Sequence, residues 1–186
     1  WLDPEERQML AESGGGLVYN PHTNMALGDG ILALPELLER GVRVGLGTDA
    51  NTTLSLFHEM RMAEYLQRVT RLEMGIVANL EVPGAGSARP LLRAGTEDGA
   101  ALLGTDAGRL APGRPADFLA IDRADPSLLP SGLHGGEALL NAFVSAMVPE
   151  RAVRRVYVAG GLIARDGELL ALSDAELADM LRRAEL

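Results

Sequence analysis

Val42-Arg43-Val44-Gly45-Leu46-Gly47-Thr48-Asp49 is a short apolar run that ends abruptly on a carboxylate. Glu39-Arg40-Gly41 before it reads as a helix end and Ala50-Asn51-Thr52-Thr53 after it as a polar loop, so the run reads as a buried parallel strand. Asp49 is expected as its last residue. In parallel α/β architectures chemistry-bearing groups gather where strands end, because the loops there meet solvent while the strands beneath are rigid. Gly45 and Gly47 leave room for a close backbone or ligand approach. On spacing alone, Asp49 could equally cap the helix that begins near Leu54, and both readings stand at this point.

Upstream, Asp3-Pro4-Glu5-Glu6 through Gly14 carries a full helix signature over residues 4–13: a capping aspartate, proline in the first turn, early acids and a glycine stop. Gly16-Leu17-Val18-Tyr19 is a short buried strand, and a loop is expected from Asn20 through Gly30. Pro35 starts the helix that leads to Val42. Helix, strand, helix, strand with short links is the grammar of a parallel sheet covered by helices, although two strands cannot close a barrel.

Downstream, Leu54, Phe57, Met60, Met62, Ala63, Leu66 and Val69 recur close to a 3.6 period, predicting a long amphipathic helix to Arg71. Val82-Pro83-Gly84-Ala85-Gly86 reads as loop, and residues 88–103 as one or two helices interrupted at Gly95. From Gly108 the texture turns to β: residues 116–122, 153–158 and 161–165 read as strands, with Ala159-Gly160 and Asp166-Gly167 as turns. A helix is expected over 137–147. Ser173 with Glu176 three positions on forms a capping box that opens a last helix.

Composition narrows the functions. The net charge of -9, with Arg scattered rather than striped, argues against a nucleic-acid surface and for a small-molecule partner. No apolar run approaches the ~18 residues of a membrane span. Without cysteine there is no disulfide framework or thiolate metal site, which suits a cytoplasmic protein, and any metal would take His and carboxylate ligands. All 17 basic residues are Arg, so this stretch holds no Schiff-base or carbamylated lysine.

Three further stretches bear on chemistry. Tyr19-Asn20-Pro21-His22-Thr23-Asn24 leaves one strand at the rim where Asp49 ends the next, which makes Asn20, His22 and Asn24 candidate substrate-binding residues. His22 is equally readable as an exposed loop histidine, and Asn20 and Asn24 as turn braces. His58-Glu59 has no second histidine four residues on, so it is not a zinc-protease pair, and His58 is expected at the surface or an interface. In Pro112-Gly113 and Asp117 the expected roles are a turn and a carboxylate bonding backbone at a strand start.

The run from Pro35 to Asp49 resembles the last barrel strand of the amidohydrolase superfamily, in the branch of cytosine-deaminase-like and chlorohydrolase-like enzymes. The loop Asn20–Asn24, with Leu27-Gly28-Asp29-Gly30-Ile31 closest to formimidoylglutamate deiminase, the series Leu102-Leu103-Gly104 to Phe118, and the hairpin Val156 to Gly167 resemble the family in the same order. The resemblance implies an α/β fold: the last β/α units of a TIM-like (β/α)8 metal-dependent hydrolase barrel over residues 1–107, β-sandwich elements with an inserted helix over 108–170, and a C-terminal helix over 171–186. Glu59 and Arg61 match the helix motif after the strand and carry a structural role there.

The same resemblance makes Asp49 both a metal ligand and the proton shuttle in hydrolytic deamination of an amidine-like or N-heterocyclic C=N group. It implies one divalent metal, zinc ahead of iron, whose other ligands lie upstream, since three histidines and no His-x-His pair cannot complete the set. The chain is therefore expected to be the C-terminal part of a longer enzyme, inactive alone, in a homo-oligomer. A chlorohydrolase or cyclic-amide hydrolase keeps the fold and changes the bond cleaved. A non-catalytic binding or assembly module is the alternative from another class.

Overall fold

Asp3 opens the first element by accepting from the backbone of Glu5 and Glu6, each at 2.8 Å, while Glu6 returns the bond to the Asp3 N–H. The capping box and Gly14, at φ 67, bound α1 (Pro4–Ser13) where the sequence predicts it. The computed structural model describes residues 2–50, 53–77 and 88–184, so the expected loop at 82–86 lies outside the described residues. There follow β1 (Gly16–Tyr19), α2 (Pro21–Leu27), α3 (Leu34–Glu39), β2 (Arg43–Leu46), α4 (Leu56–Arg71), α5 (Ala88–Ala94) and α6 (Glu97–Leu102).

β1 and β2 pair in parallel, from Gly16 opposite Arg43 to Tyr19 opposite Leu46. Their period-2 alternation sends Tyr19, Val42 and Val44 into a core shared with Leu34, Leu37, Met60, Ala63 and Leu91. The opposite face is crossed by α6: a methyl added to Gly16 would stand 2.5 Å from a Leu102 methyl, and one on Gly45 3.0 Å from the same side chain. Val18, on that face, is 53% exposed, so β1 is buried on one side only.

Two local expectations change. Residues 21–27 form a helix rather than loop: Pro21 occupies the first turn, where no N–H is needed, and Gly28 at φ 74 ends the helix by donating to the Asn24 carbonyl. In α4, the inward face is not the predicted apolar stripe. Glu59, Glu64 and Gln67 are buried beside Met60 and Ala63, while Leu54 and Val69 are 78% and 72% exposed. Each of two inward polar groups fastens another segment: Glu64 accepts from Ile76 and Val77 N–H at 3.1 and 2.9 Å, and the Gln67 amide donates to the Leu32 carbonyl at 2.8 Å. Ser55 caps α4, accepting from His58 N–H, which removes the capping role considered for Asp49.

The remainder comprises β3 (Phe118–Ile121), α7 (Ser131–His134), α8 (Gly136–Ser145), a 3-10 turn (Pro149–Ala152), β4 (Val153–Val158), β5 (Gly161–Arg165), β6 (Glu168–Leu169) and α9 (Asp174–Ala184). The four strands form an antiparallel sheet in sequence order. Ala159-Gly160 and Asp166-Gly167 all take positive φ, as tight hairpin turns require. Asp117 accepts from Ala159 N–H at 2.7 Å, clamping the first hairpin to the start of β3. α8 returns to the first part of the chain, placing Val144 in the main core and Phe143 edge-on to Phe57 at 4.6 Å. Among the described residues no helix is long and apolar enough to cross a membrane.

Leu37, fully buried between α3 and the parallel pair, is the test of this core. Leu37→Ala should cost about 2–5 kcal/mol in urea unfolding of the full-length protein. A loss under about 1 kcal/mol would mean that the site is not packed as described.

Candidate functional site

The site is a rim where both parallel strands end. Beyond the ladder of the two strands, a backbone bond runs from Gly47 N–H to the Tyr19 carbonyl at 3.1 Å, one residue past β2. Past it the chain leaves the ladder, so Asp49 is not the strand's last residue, as expected, but stands three residues beyond Leu46. It is exposed and takes φ 46, a left-handed conformation that Asp tolerates better than most residues.

α2 holds this segment from the other strand. The Thr23 hydroxyl, 3% exposed as a residue, donates to the Thr48 carbonyl at 2.9 Å, fixing the peptide next to Asp49. Thr23 is the functional neighbour that sequence reasoning missed, standing between two residues it singled out. Asn20 is half-buried with its amide oxygen against Gly47, where an added methyl would come within 2.5 Å of it. The missing side chain at 47 thus lets Asn20 lie beside the strand that leads to Asp49. Asn24 lies in α2, its backbone donating to the Asn20 carbonyl at 3.0 Å and accepting from Asp29 N–H at 2.9 Å.

His22 and His58 meet at the same rim, with ring centroids 4.7 Å apart and tilted by 39°. His22 N–H also donates to the Glu59 carboxylate at 2.9 Å, and Glu59 is fully buried, in keeping with its expected structural role. His58, expected at the surface or an interface, is half-buried, and its ring lies against that of His22 on α2. An Arg61 guanidinium nitrogen lies 3.1 Å from His58 Nδ1. Because guanidinium only donates, Nδ1 is the acceptor, and the neutral ring carries its proton on Nε2.

The amidohydrolase family profile matches residues 1–163. The chain belongs to the amidohydrolase family. This amidohydrolase chain is 34% identical over 187 residues to the 5'-deoxyadenosine deaminase of Methanothermobacter thermautotrophicus, covering 99% of the chain and 40% of that relative. The formimidoylglutamate deiminase of Pseudomonas aeruginosa is 39% identical over 167 residues, covering 89% of the chain and 35% of the relative. Among solved structures, a zinc-bound adenosine deaminase from Xanthomonas campestris superposes with a TM-score of 0.79 at 26% identity, over 99% of this chain and 40% of that one. The amidohydrolase chain therefore spans about two fifths of the length of such relatives.

Asp49 is a hard oxygen donor, exposed at the rim, that could serve a metal; the residues just before it are held by Tyr19 on Gly47 and Thr23 on Thr48. Among the described residues no three His, Asp or Glu side chains come close enough to hold an ion together. The donor set fits as one ligand of several.

His58 makes a pH prediction. Burial foremost, then the charges of Arg61 and His22, push its pKa below the ordinary histidine value, against a smaller opposing pull from Glu150. The unfolded chain then binds the proton more readily than the folded one, so this contribution to stability is intact above about pH 6.5 and is lost as pH falls through the lower folded value. The urea midpoint of the amidohydrolase should drop on acidification across that window, and the drop should shrink in His58→Gln. Equal slopes for the two proteins would refute the assignment.

Proposed function

We propose that this chain is the C-terminal part of a metal-dependent hydrolase that deaminates a small molecule at an amidine-like or N-heterocyclic C=N carbon. The observation that carries the reading is Asp49: a carboxylate set past the end of a parallel strand and braced from the neighbouring strand through Thr23 and Thr48. It stands in a chain whose family relatives include named deaminases of C=N groups. In this reading residues 1–107 supply the last β/α units of a (β/α)8 barrel, 108–170 part of a β-sandwich with α8 inserted, and 171–186 the terminal helix. The parallel pair with its covering helices and the separate antiparallel sheet support that division.

Asp49 would ligate one divalent metal, zinc ahead of iron, together with residues upstream of this chain; the zinc named with the Xanthomonas campestris structure supports that choice. When bound, such an ion supplies Lewis-acid polarisation and an acidified water. Asp49 does the proton work. Its carboxylate would take one proton from the water as the oxygen adds to the C=N carbon and pass it on to nitrogen; as the C–N bond breaks, the remaining hydroxyl proton also moves to nitrogen, so that a carbonyl and ammonia are left. Asn20, beside the end of β2, His22, facing α4, and Asn24, on α2, would bind substrate at the rim.

A narrower reading, formimidoylglutamate deiminase, is favoured by the 39% identity to that relative and by the similarity of Leu27 to Ile31. A hydrolase of C–Cl or cyclic-amide bonds would keep the scaffold and release no ammonia from a C=N panel. The assembly this reading carries is a cytoplasmic homo-oligomer; exposed Val69, Leu72 and Met74 at the end of α4 support a subunit contact.

In the full-length protein, Asp49→Asn should lower ammonia release from an amidine and heterocycle panel by about 10²–10⁴-fold, because an amide cannot accept the proton. Near-normal turnover by this variant, with wild type active, would remove Asp49 from the role.

A further inference from the structure

The register of the parallel pair ends at Tyr19 opposite Leu46, and Gly47 N–H reaches back to the Tyr19 carbonyl as the chain leaves the ladder. Past that point the neighbouring strand gives way to α2, so the Thr48 carbonyl takes its donor from a side chain, the Thr23 hydroxyl at 2.9 Å. A side-chain hydroxyl thus stands where a strand N–H would continue the sheet. It extends the hold by one peptide, to the peptide that leads into Asp49.

That peptide matters because of its planarity. The Thr48 carbonyl, the Asp49 nitrogen and the Asp49 Cα lie in one plane, so fixing the carbonyl oxygen fixes the plane from which Asp49 turns. Between that plane and the Asp49 Cβ a single soft rotation remains, φ. Its value, 46, lies in the left-handed region, which is a narrow well for a residue with a side chain. The direction in which Asp49 leaves the backbone is therefore set largely by one hydroxyl and one dihedral.

Thr23 is itself backed. It is 3% exposed, it follows the buried Pro21, and the N–H of its neighbour His22 donates to the Glu59 carboxylate of α4 at 2.9 Å. From α4 to the Asp49 peptide the path runs through two hydrogen bonds and the single residue step from His22 to Thr23. A group that takes and passes on a proton loses large factors in rate when displaced by a fraction of the reacting distance, so this path bears on turnover more than on binding.

We propose that Thr23 is a positioning residue: its hydroxyl orients the Thr48–Asp49 peptide, and with it the carboxylate that moves the proton. The catalytic half of this inference rests on the deaminase reading above.

The test uses the full-length protein with Thr23→Val, which keeps the branched shape and removes the donor, and Thr23→Ser, which keeps the donor. Steady-state kinetics, with rates taken per bound metal, are read beside backbone hydrogen exchange over residues 43–50 and over α4. Thr23→Val should lower kcat by about tenfold or more with KM little changed. It should speed exchange over 43–50 and leave α4 as in wild type, while Thr23→Ser recovers most of both. Added to Asp49→Asn, Thr23→Val should cost less than about twofold more, because what it positions is already lost. Wild-type kcat in Thr23→Val overturns the proposal, as do an equal loss in Thr23→Ser, exchange that rises equally in α4, or losses that multiply in the double variant. If Thr23→Val does not fold, a crystal structure of the full-length wild type decides: Thr23 Oγ1 within about 3.2 Å of the Thr48 oxygen sustains the proposal, and a separation beyond about 3.5 Å overturns it. A wild type that releases no ammonia defeats the deaminase reading alone, and exchange over 43–50 still decides whether the hydroxyl holds the peptide.

Discussion

A carboxylate with no exposure has to be satisfied inside the protein, and Glu59 is in that position on α4. It accepts from the backbone N–H of His22, at the start of α2, a residue 37 positions away. That bond fixes where the chain goes after β1. Once α2 lies against α4, Thr23 is within reach of the Thr48 carbonyl, and the two strand ends share one rim. Replacing the carboxylate by a hydrocarbon would leave the His22 N–H to find another acceptor, so the interaction specifies an arrangement more than it adds raw stability.

The same helix repeats the device lower down. Glu64 takes two backbone donors from Ile76 and Val77 and pairs with Arg68 at 2.6 Å, and Gln67 holds the Leu32 carbonyl. α4 is therefore less an apolar stripe on a core than a rod of buried polar side chains, each directed at a specific backbone group. Hydrophobic contacts at Met60 and Ala63 supply cohesion along it, while the polar groups set position. This division explains how short elements stay registered: α2 has seven residues and α3 six, too few to be stable by their own backbone bonds.

Legibility in the sequence follows the range of the cause. α1, the two parallel strands and both hairpin turns read correctly because their signals are local: the capping aspartate and glycine stop of α1, the bounded apolar run from Val42, and paired residues that accept positive φ. The Asp117 clamp was legible too, as a carboxylate at a strand start. α2 was not, since its seven residues carry no apolar period and its hold comes from Glu59 and Thr48. Burial of Glu59, Glu64 and Gln67 was hidden for the same reason: hydropathy ranks them as surface residues until their distant partners are known. At the rim, Asp49 stood out by its abrupt place after an apolar run, whereas Thr23 depended on a helix where a loop was expected, and the facing of His58 on a helix start two residues from where the pattern put it.

The conformation of Asp49 ties these threads together. A non-glycine residue in the left-handed region costs roughly 1–3 kcal/mol and persists where its surroundings over-determine it. Here the surroundings are identifiable: Gly47 N–H on Tyr19 before it and Thr23 on Thr48 beside it. An extended backbone at 49 would continue the line of β2 and carry the next residues past the sheet end. The left-handed turn instead breaks that line at the carboxylate, just past residues held by Tyr19 and Thr23. A residue so placed is reachable by solvent and by a substrate while its backbone is held, which is the combination that proton transfer at a fixed carbon requires.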